Sequence, residues 1–270
     1  MDDIDRFLKE DLDKEGDITT NSLFLKEKAV AKIIAKEDAI LAGIAEAKKV
    51  FKKTGATLKT DFKDGDKVKK KQIVAEVEGA VRSILTGERL ALNFICRMSG
   101  IATETKYLMD KCKKINPKVV VAATRKTTPG FRKYEKKAVE LAGGDPHRYG
   151  LYDAVLIKDN HLKIHSISNS IKKIKQKVKN KIIEIEVENE KDALEAAKTN
   201  VDYIMLDNFT PEEGKKIAEK IRSINPNIKI EVSGGINPDN IIKYAPFADR
   251  ISLGYLTHSI KSKDFSLEII

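Results

Sequence analysis

The segment ATRKTTPGFRK (residues 123–133) sets Arg125, Lys126, Arg132 and Lys133 around four turn formers, Thr127 to Gly130. It follows PKVVV, an apolar β-branched run that reads as a strand. Cations aimed from a strand end can grip carboxylate or phosphate, and arginine's planar fork does so with two parallel hydrogen bonds. Downstream, GGDPHRYG (143–150) brings His147 and Arg148, and LIKDNH (156–161) ends in Lys158 and His161. In KIIEIEVEN (181–189), Glu184, Glu186 and Glu188 alternate with Ile183, Ile185 and Val187, so the three carboxylates share one face of a strand. Asp207 follows in LDN, and the glycine pairings VSGGI (232–236) and SLGYL (252–256) come last.

Those residue types define a chemistry. The cations Arg125, Lys126, His147, Arg148 and Lys158 suit a polyanionic substrate. Inward carboxylates at Glu186 and Asp207 suit Mg²⁺ carried on a diphosphate, or a cation that develops during reaction. Ser233, Gly234, Gly235 and Gly254 are either ordinary turns or a phosphate cradle of backbone N–H groups. His147 is either a site residue or half of a surface pair with Arg148, and His161 can cap a turn or bond within the core. Arg132 and Lys133 enter the next helix and are expected to meet solvent or another subunit. There is no catalytic triad, HExxH, P-loop or GxGxxG, so a structural transition-metal site is not expected.

The elements that hold these residues alternate regularly from about residue 116. Strands are expected at 119–124, 154–158, 182–188, 203–207, 228–233 and 250–254. Helices are expected at 133–143, 166–179, 190–199, 211–223 and 238–245. Strand–helix–strand at this pitch builds right-handed βαβ units and a parallel sheet, and polar residues at nearly every strand end favour a barrel. The first hundred residues differ. They predict strands at 29–36 and 72–78, a hairpin turn at KDGDKV (63–68), and helices at 38–52 and 83–114, with a break near Ser99–Gly100. This reads as a smaller α+β domain, 1–105, followed by a barrel domain, 106–259. The stretch DGDKVKKKQIVAEVEG (64–79) has the pattern of biotinyl/lipoyl-type carriers without a recognisable modification lysine, so only a structural likeness is expected.

Composition limits the alternatives. The chain has 270 residues, 51 basic against 41 acidic, and a net charge of +10. A basic nucleic-acid-binding protein is one reading of that charge. It leaves the inward glutamates unexplained, and with 6% aromatic residues there is no RNP-like motif. Of nine arginines, six lie between Arg82 and Arg148, whereas lysines scatter. The lysine excess therefore reads as a solvated surface and the arginine cluster as a site. No apolar run approaches the roughly 18 residues of a membrane helix. The acidic start MDDIDRFLKEDLDKEGD is not expected to act as a targeting segment. Two cysteines without metal spacing, Cys96 and Cys112, point to a reducing, cytoplasmic compartment.

Taken in order, GDITT (16–20), TGERLALNFICRMSGIAT (86–103), ATRKTTPGFR, GGDPHRYGLYDAVLIKDNH (143–161), EIEVEN (184–189), LDNF (206–209) and SGGI (233–236) resemble the quinolinate phosphoribosyltransferase family, the carboxylating nicotinate-nucleotide pyrophosphorylases. The resemblance implies an N-terminal α/β sandwich, which the C-terminal segment 260–270 can rejoin, and an open α/β barrel of TIM-like parallel strands. It implies transfer of the phosphoribosyl group of phosphoribosyl pyrophosphate to quinolinate, giving nicotinate mononucleotide, diphosphate and CO₂ for NAD biosynthesis, with Mg²⁺. It also implies a homodimer or a multiple of dimers, with Arg89 reaching the neighbouring site. Carried over by residue, Arg125, His147, Arg148 and Lys158 surround the quinolinate carboxylates, and Lys126 lies toward the diphosphate. Glu186 and Asp207 lie near ribose and Mg²⁺, with contact to the metal expected through water, and Ser233, Gly234, Gly235 and Gly254 cradle the 5′-phosphate. Tyr255, after Gly254, is larger than that cradle leads one to expect. A paralogous phosphoribosyl or glycosyl transferase with another substrate is the nearest alternative.

Overall fold

The computed structural model describes residues 2–270, which divide into two compact units. The first holds residues up to Glu104, the segment 140–142 and Ile260–Ile270; the second holds Thr105–Val139 and Gly143–Ser259. Among the described residues, no helix is long and apolar enough to cross a membrane.

In the first unit, strands Lys28–Ala35 (β1), Thr57–Lys59 (β3), Ile73–Ala80 (β5) and Phe265–Ile269 (β12) form an antiparallel sheet in the order β12–β1–β5–β3. Alternation in β1 sends Ala31, Ile33 and Ala35 fully into the core, where Phe51, Ile84 and Phe94 also lie. Ala39–Ile40 (β2) and Lys67–Val68 (β4) pair separately. The KDGDKV turn forms, with Lys63 N–H donating to Asp66 at 2.7 Å. It is not a hairpin turn, however, because it leads from β3 to β4, which belong to different sheets. The helix expected at 38–52 begins at Ile44, since residues 39–40 are taken by the pairing with β4. Helix Val81–Lys113 runs without the expected break at Ser99–Gly100. A Cβ on Gly100 would lie 2.5 Å from the Lys261 carbonyl oxygen, so the glycine serves close passage of the C-terminal segment rather than a helix stop.

The second unit is built on six parallel strands: Val120–Ala122 (β6), Val155–Ile157 (β7), Ile183–Val187 (β8), Tyr203–Asp207 (β9), Lys229–Ser233 (β10) and Arg250–Ser252 (β11). Their order is β6–β11–β10–β9–β8–β7, and β6 and β7 do not pair with each other, which leaves an open α/β barrel. Helices Arg132–Leu141, Ile167–Lys177, Glu190–Ala197 and Pro211–Ile224 alternate with the strands. Thr210 and Glu213 form a capping box around Pro211, fixing the start of the last of these. The helix expected at 238–245 shrinks to a 3₁₀ turn, Ile241–Lys243. Asn237 accepts from the backbone of Asp239 (2.9 Å) and Asn240 (3.2 Å), and Asn240 donates to Gly235 O, so side chains compete with helical pairing there.

The strand alternation now has a cause. Ile183, Ile185, Val187, Ile204, Ile230 and Ile251 join one core cluster. The intervening residues Glu184, Glu186, Met205, Glu231, Arg250 and Ser252 are also buried, on the opposite face. Parallel strands are normally apolar on both faces. Here the inner face carries charge because a buried arginine compensates it, as described below.

Candidate active site

A cavity of about 650 Å³ opens at the C-terminal ends of the parallel strands. Arg125 and Lys126 come from the loop after β6, Arg148 from the loop before β7, and Lys158 from the end of β7; all four line it. Arg148 is only 9% exposed. Among the described residues, no carboxylate lies within ion-pair distance of Arg125, Lys126 or Arg148. Burial, and then the neighbouring Arg125 charge, lower the Arg148 pKa, as expected of a cation that lacks a paired anion.

Local hydrogen bonds aim these cations. Thr124 Oγ accepts from Lys126 N–H at 3.1 Å, and Arg125 O accepts from Thr127 N–H at 2.9 Å. Glu135, on helix Arg132–Leu141, accepts from both the backbone N–H and the hydroxyl of Thr128 at 3.0 Å. Arg132 was expected at solvent or a subunit contact. It instead donates to Thr127 Oγ at 2.9 Å and to Tyr149 O at 3.1 Å, so it joins the two cation-bearing loops. The next turn of the helix adds Lys136, fully buried, which donates to Pro146 O. Lys133 lies 4.9 Å from the Tyr134 ring centroid.

Glu186 and Asp207 stand in the same cavity. Lys158 Nζ donates to Glu186 Oε2 at 2.6 Å, the one ion pair of the cation wall. Burial, followed by repulsion from Glu186, raises the Asp207 pKa, and Asn208 donates to its carboxylate at 2.7 Å. A carboxylate whose proton affinity is raised by burial and by a second carboxylate beside it is what a divalent cation relieves, so the pair fits Mg²⁺ arriving on a diphosphate. Glu188 lies beyond β8 and is exposed.

His147 sits at φ +53°, a left-handed conformation for a non-glycine residue. Its ring lines the cavity, yet both nitrogens are engaged elsewhere. Nδ1 accepts from Arg148 N–H at 2.7 Å, and Nε2 faces Glu184 and Glu231, each at 3.4 Å. Burial opposes charge on the ring, and the two carboxylates outweigh it, raising its pKa. The Arg148 N–H works the other way, because an acceptor Nδ1 cannot carry a proton. That bond places the proton of the neutral ring form on Nε2, facing the two carboxylates. His161 Nδ1 accepts from Lys158 N–H at 2.9 Å and caps that turn.

The glycine corner is asymmetric. Gly234 has φ +87°, and a Cβ there would fall 2.2 Å from Asn208 Oδ1; Gly235 faces open space. A Cβ on Gly254 would meet Lys126 Cδ and His258 Nε2 at 2.8 Å, so the lysine stem crosses this glycine. Thr257 Oγ donates to Lys126 O at 2.6 Å, tying the short helix Tyr255–His258 after β11 to the cation loop. Tyr255 and His258 both line the cavity. His258 was missed from sequence, although its place four residues after Gly254, beyond a barrel strand, was a usable signal. Arg89 does not line the cavity; it is exposed on helix Val81–Lys113.

Fold and cavity together put the chain in the class of barrel enzymes that handle phosphorylated and carboxylated small molecules. Comparison with known proteins narrows the class. The profile described as the quinolinate phosphoribosyl transferase C-terminal domain matches residues 101–268, and the N-terminal domain profile matches 17–99. A probable nicotinate-nucleotide pyrophosphorylase (carboxylating) of Methanocaldococcus jannaschii is 45% identical over 277 residues, covering 98% of this chain and 96% of that protein. One from Bacillus subtilis is 39% identical over 271 residues, covering 98% and 92%. The solved nicotinate-nucleotide pyrophosphorylase of Ehrlichia chaffeensis has a TM-score of 0.92 at 38% identity, covering 99% of this chain and 97% of that one. The chain belongs to the quinolinate phosphoribosyltransferase family.

Proposed function

We propose that this cavity transfers the phosphoribosyl group of phosphoribosyl pyrophosphate to quinolinate, releasing diphosphate and CO₂ and forming nicotinate mononucleotide for NAD synthesis in the cytoplasm. The observation that carries the reading is the trio of cations without carboxylate partners, Arg125, Lys126 and Arg148, in a cavity whose other wall holds Glu186 and Asp207. A dicarboxylate and a diphosphate together supply the missing anions.

Arg125 and Arg148 take the quinolinate carboxylates with their planar forks, helped by Lys158. His147 contributes through Arg148, since its own ring nitrogens are engaged. Lys126, which crosses Gly254, faces the diphosphate, and Ser233, Gly234, Gly235 and Gly254 hold the 5′-phosphate. The pyridine nitrogen attacks the anomeric carbon while the bond from that carbon to the diphosphate oxygen breaks. Positive charge grows on the ribose, and Glu186 and Asp207 stabilise it. The bond from the ring to the 2-carboxylate then breaks, its electron pair stays on the quaternised ring, and a proton replaces CO₂. Glu186 and Asp207 would hold Mg²⁺ carried on the diphosphate, and the ion would there supply charge neutralisation of the leaving group. In a homodimer, Arg89 of each copy serves the neighbouring cavity.

The test is an assay of purified protein with phosphoribosyl pyrophosphate and Mg²⁺, offering quinolinate or nicotinate. The expected result is CO₂ release and nicotinate mononucleotide from quinolinate. Turnover of nicotinate alone would refute the reading.

A further inference from the structure

Below the cation wall lies a charged cluster to which neither the sequence nor the proposed chemistry assigns a task. Arg250 opens β11 and is 6% exposed. It meets three carboxylates: Nε donates to Glu231, Nη2 to Glu184 at 2.8 Å, and Nη1 to Asp145 at 3.1 Å. Its guanidinium stacks 3.9 Å from the Tyr203 ring centroid. Ser252 Oγ donates to the second oxygen of Glu231 at 2.6 Å.

Glu184, Glu231 and His147 offer ligand atoms within 4.8 Å of one another, which is metal-like spacing. A metal is the weaker reading, because the oxygens that face His147 already accept from Arg250 and Ser252. The guanidinium is the cluster's cation. Burial opposes charge on Glu231, but the His147 hydrogen bond and then the Arg250 charge lower its pKa, while burial and repulsion from Glu231 raise the Glu184 pKa.

The same three carboxylates hold one turn. Asp145 accepts from His147 N–H at 2.6 Å. Glu184 and Glu231 face Nε2 of the same residue. Arg250 therefore fixes both the backbone and the ring of His147, the residue at φ +53°. Such a conformation persists only where the surroundings over-determine it. Its ring then accepts from the N–H of Arg148, the most buried of the unpaired cations.

We infer that Arg250 is a positioning residue: through Asp145, Glu184 and Glu231 it locks the His147 turn and so sets where the Arg148 guanidinium meets a substrate carboxylate. The inference rests on the carboxylate-binding role given to Arg148 above.

Two variants of the full-length protein test it. Arg250→Lys keeps the charge and loses the three-way fork. Arg250→Met combined with Glu184→Gln and Glu231→Gln removes the guanidinium together with its two buried carboxylate partners and leaves only the partly exposed Asp145, so that folding does not hinge on stranded buried carboxylates. In each, KM for quinolinate should rise about tenfold or more while KM for phosphoribosyl pyrophosphate stays within about twofold. The amides of residues 145–149 should also lose hydrogen-exchange protection. A folded variant with KM for quinolinate unchanged, or with both KM values moving together, overturns the inference. If the wild-type protein does not turn over quinolinate, the functional reading fails by itself. The exchange measurement still decides the positioning claim, and unchanged protection at 145–149 overturns it.

Discussion

Arg148 and Arg250 are both buried arginines of the same unit, and they do opposite things. Arg250 is surrounded by three carboxylates and an aromatic face. Arg148 feels the Arg125 charge more than the weaker pull of Glu184 and Glu186, and among the described residues no carboxylate lies within ion-pair reach of it. A buried charge is tolerated only when compensated. Arg250 is compensated by the protein, so it is structure. Arg148 lacks that compensation, so its partner must come from outside, and it belongs to the site. The difference is one of neighbours, not of residue type.

Stability should separate the two most strongly. Arg250→Met strands Glu184 and Glu231 without their cation, and breaking a buried pair in this way costs about 3–5 kcal/mol. Arg148→Ala removes one of two mutually repelling cations, and its unfolding free energy should change by less than about 1 kcal/mol. Urea unfolding of both variants measures this. Equal losses would erase the distinction between the two arginines.

Activity should then reverse the ranking. Arg148→Ala and Arg125→Ala should each raise KM for quinolinate about a hundredfold, because each removes a charged fork from a carboxylate. Arg125→Lys, which keeps charge without the fork, should lie between. Wild-type affinity in Arg125→Lys would detach that residue from the substrate. Quinolinate at a hundred times its Kd should stabilise the wild type by about 2.7 kcal/mol, with little effect on Arg148→Ala.

The carboxylate wall supplies a smaller contrast. Glu186 is paired with Lys158, so Glu186→Gln should lower kcat about tenfold while KM for quinolinate changes less than about threefold. Steady-state kinetics decide it: a rise in KM with kcat intact would place Glu186 in substrate binding rather than in stabilising ribose charge.

Much of this was legible in the sequence because it is local. Period-two alternation marked β8 and the other parallel strands, and turn formers marked Arg125 and Lys126 as strand-end residues. What escaped depends on distant partners. Arg250 stood at the start of an expected strand, but its partners Glu184 and Asp145 lie 66 and 105 residues away. Arg132 was assigned to the surface because a helix start says nothing about Tyr149 O, which lies 17 residues ahead. Gly100 resembled a helix break because its use, the passage of Lys261, comes from the far end of the chain. Residues 238–245 had helical spacing and a proline start, and asparagine side chains took the backbone N–H groups instead.

Lys136 sharpens the comparison at its weakest point: it is a buried cation compensated chiefly by a backbone carbonyl, intermediate between Arg250 and Arg148. Burial, and then the charge of Arg132, lower its pKa from the ordinary 10.5 to about 8. The folded state therefore releases this proton at lower pH than the unfolded chain does. Between about pH 8 and 10.5 the unfolded chain binds more protons, so wild-type stability gains up to about 1.4 kcal/mol per pH unit from this group as pH rises. Below pH 8 the lysine is charged in both states and its contribution is flat. Lys136→Met has no such proton to lose. Urea midpoints measured from pH 7 to 10 should show wild type gaining on Lys136→Met only above about pH 8. A constant gap across that range would mean that Pro146 O and the Tyr149 ring, 5.5 Å away, compensate the ammonium as fully as carboxylates compensate Arg250.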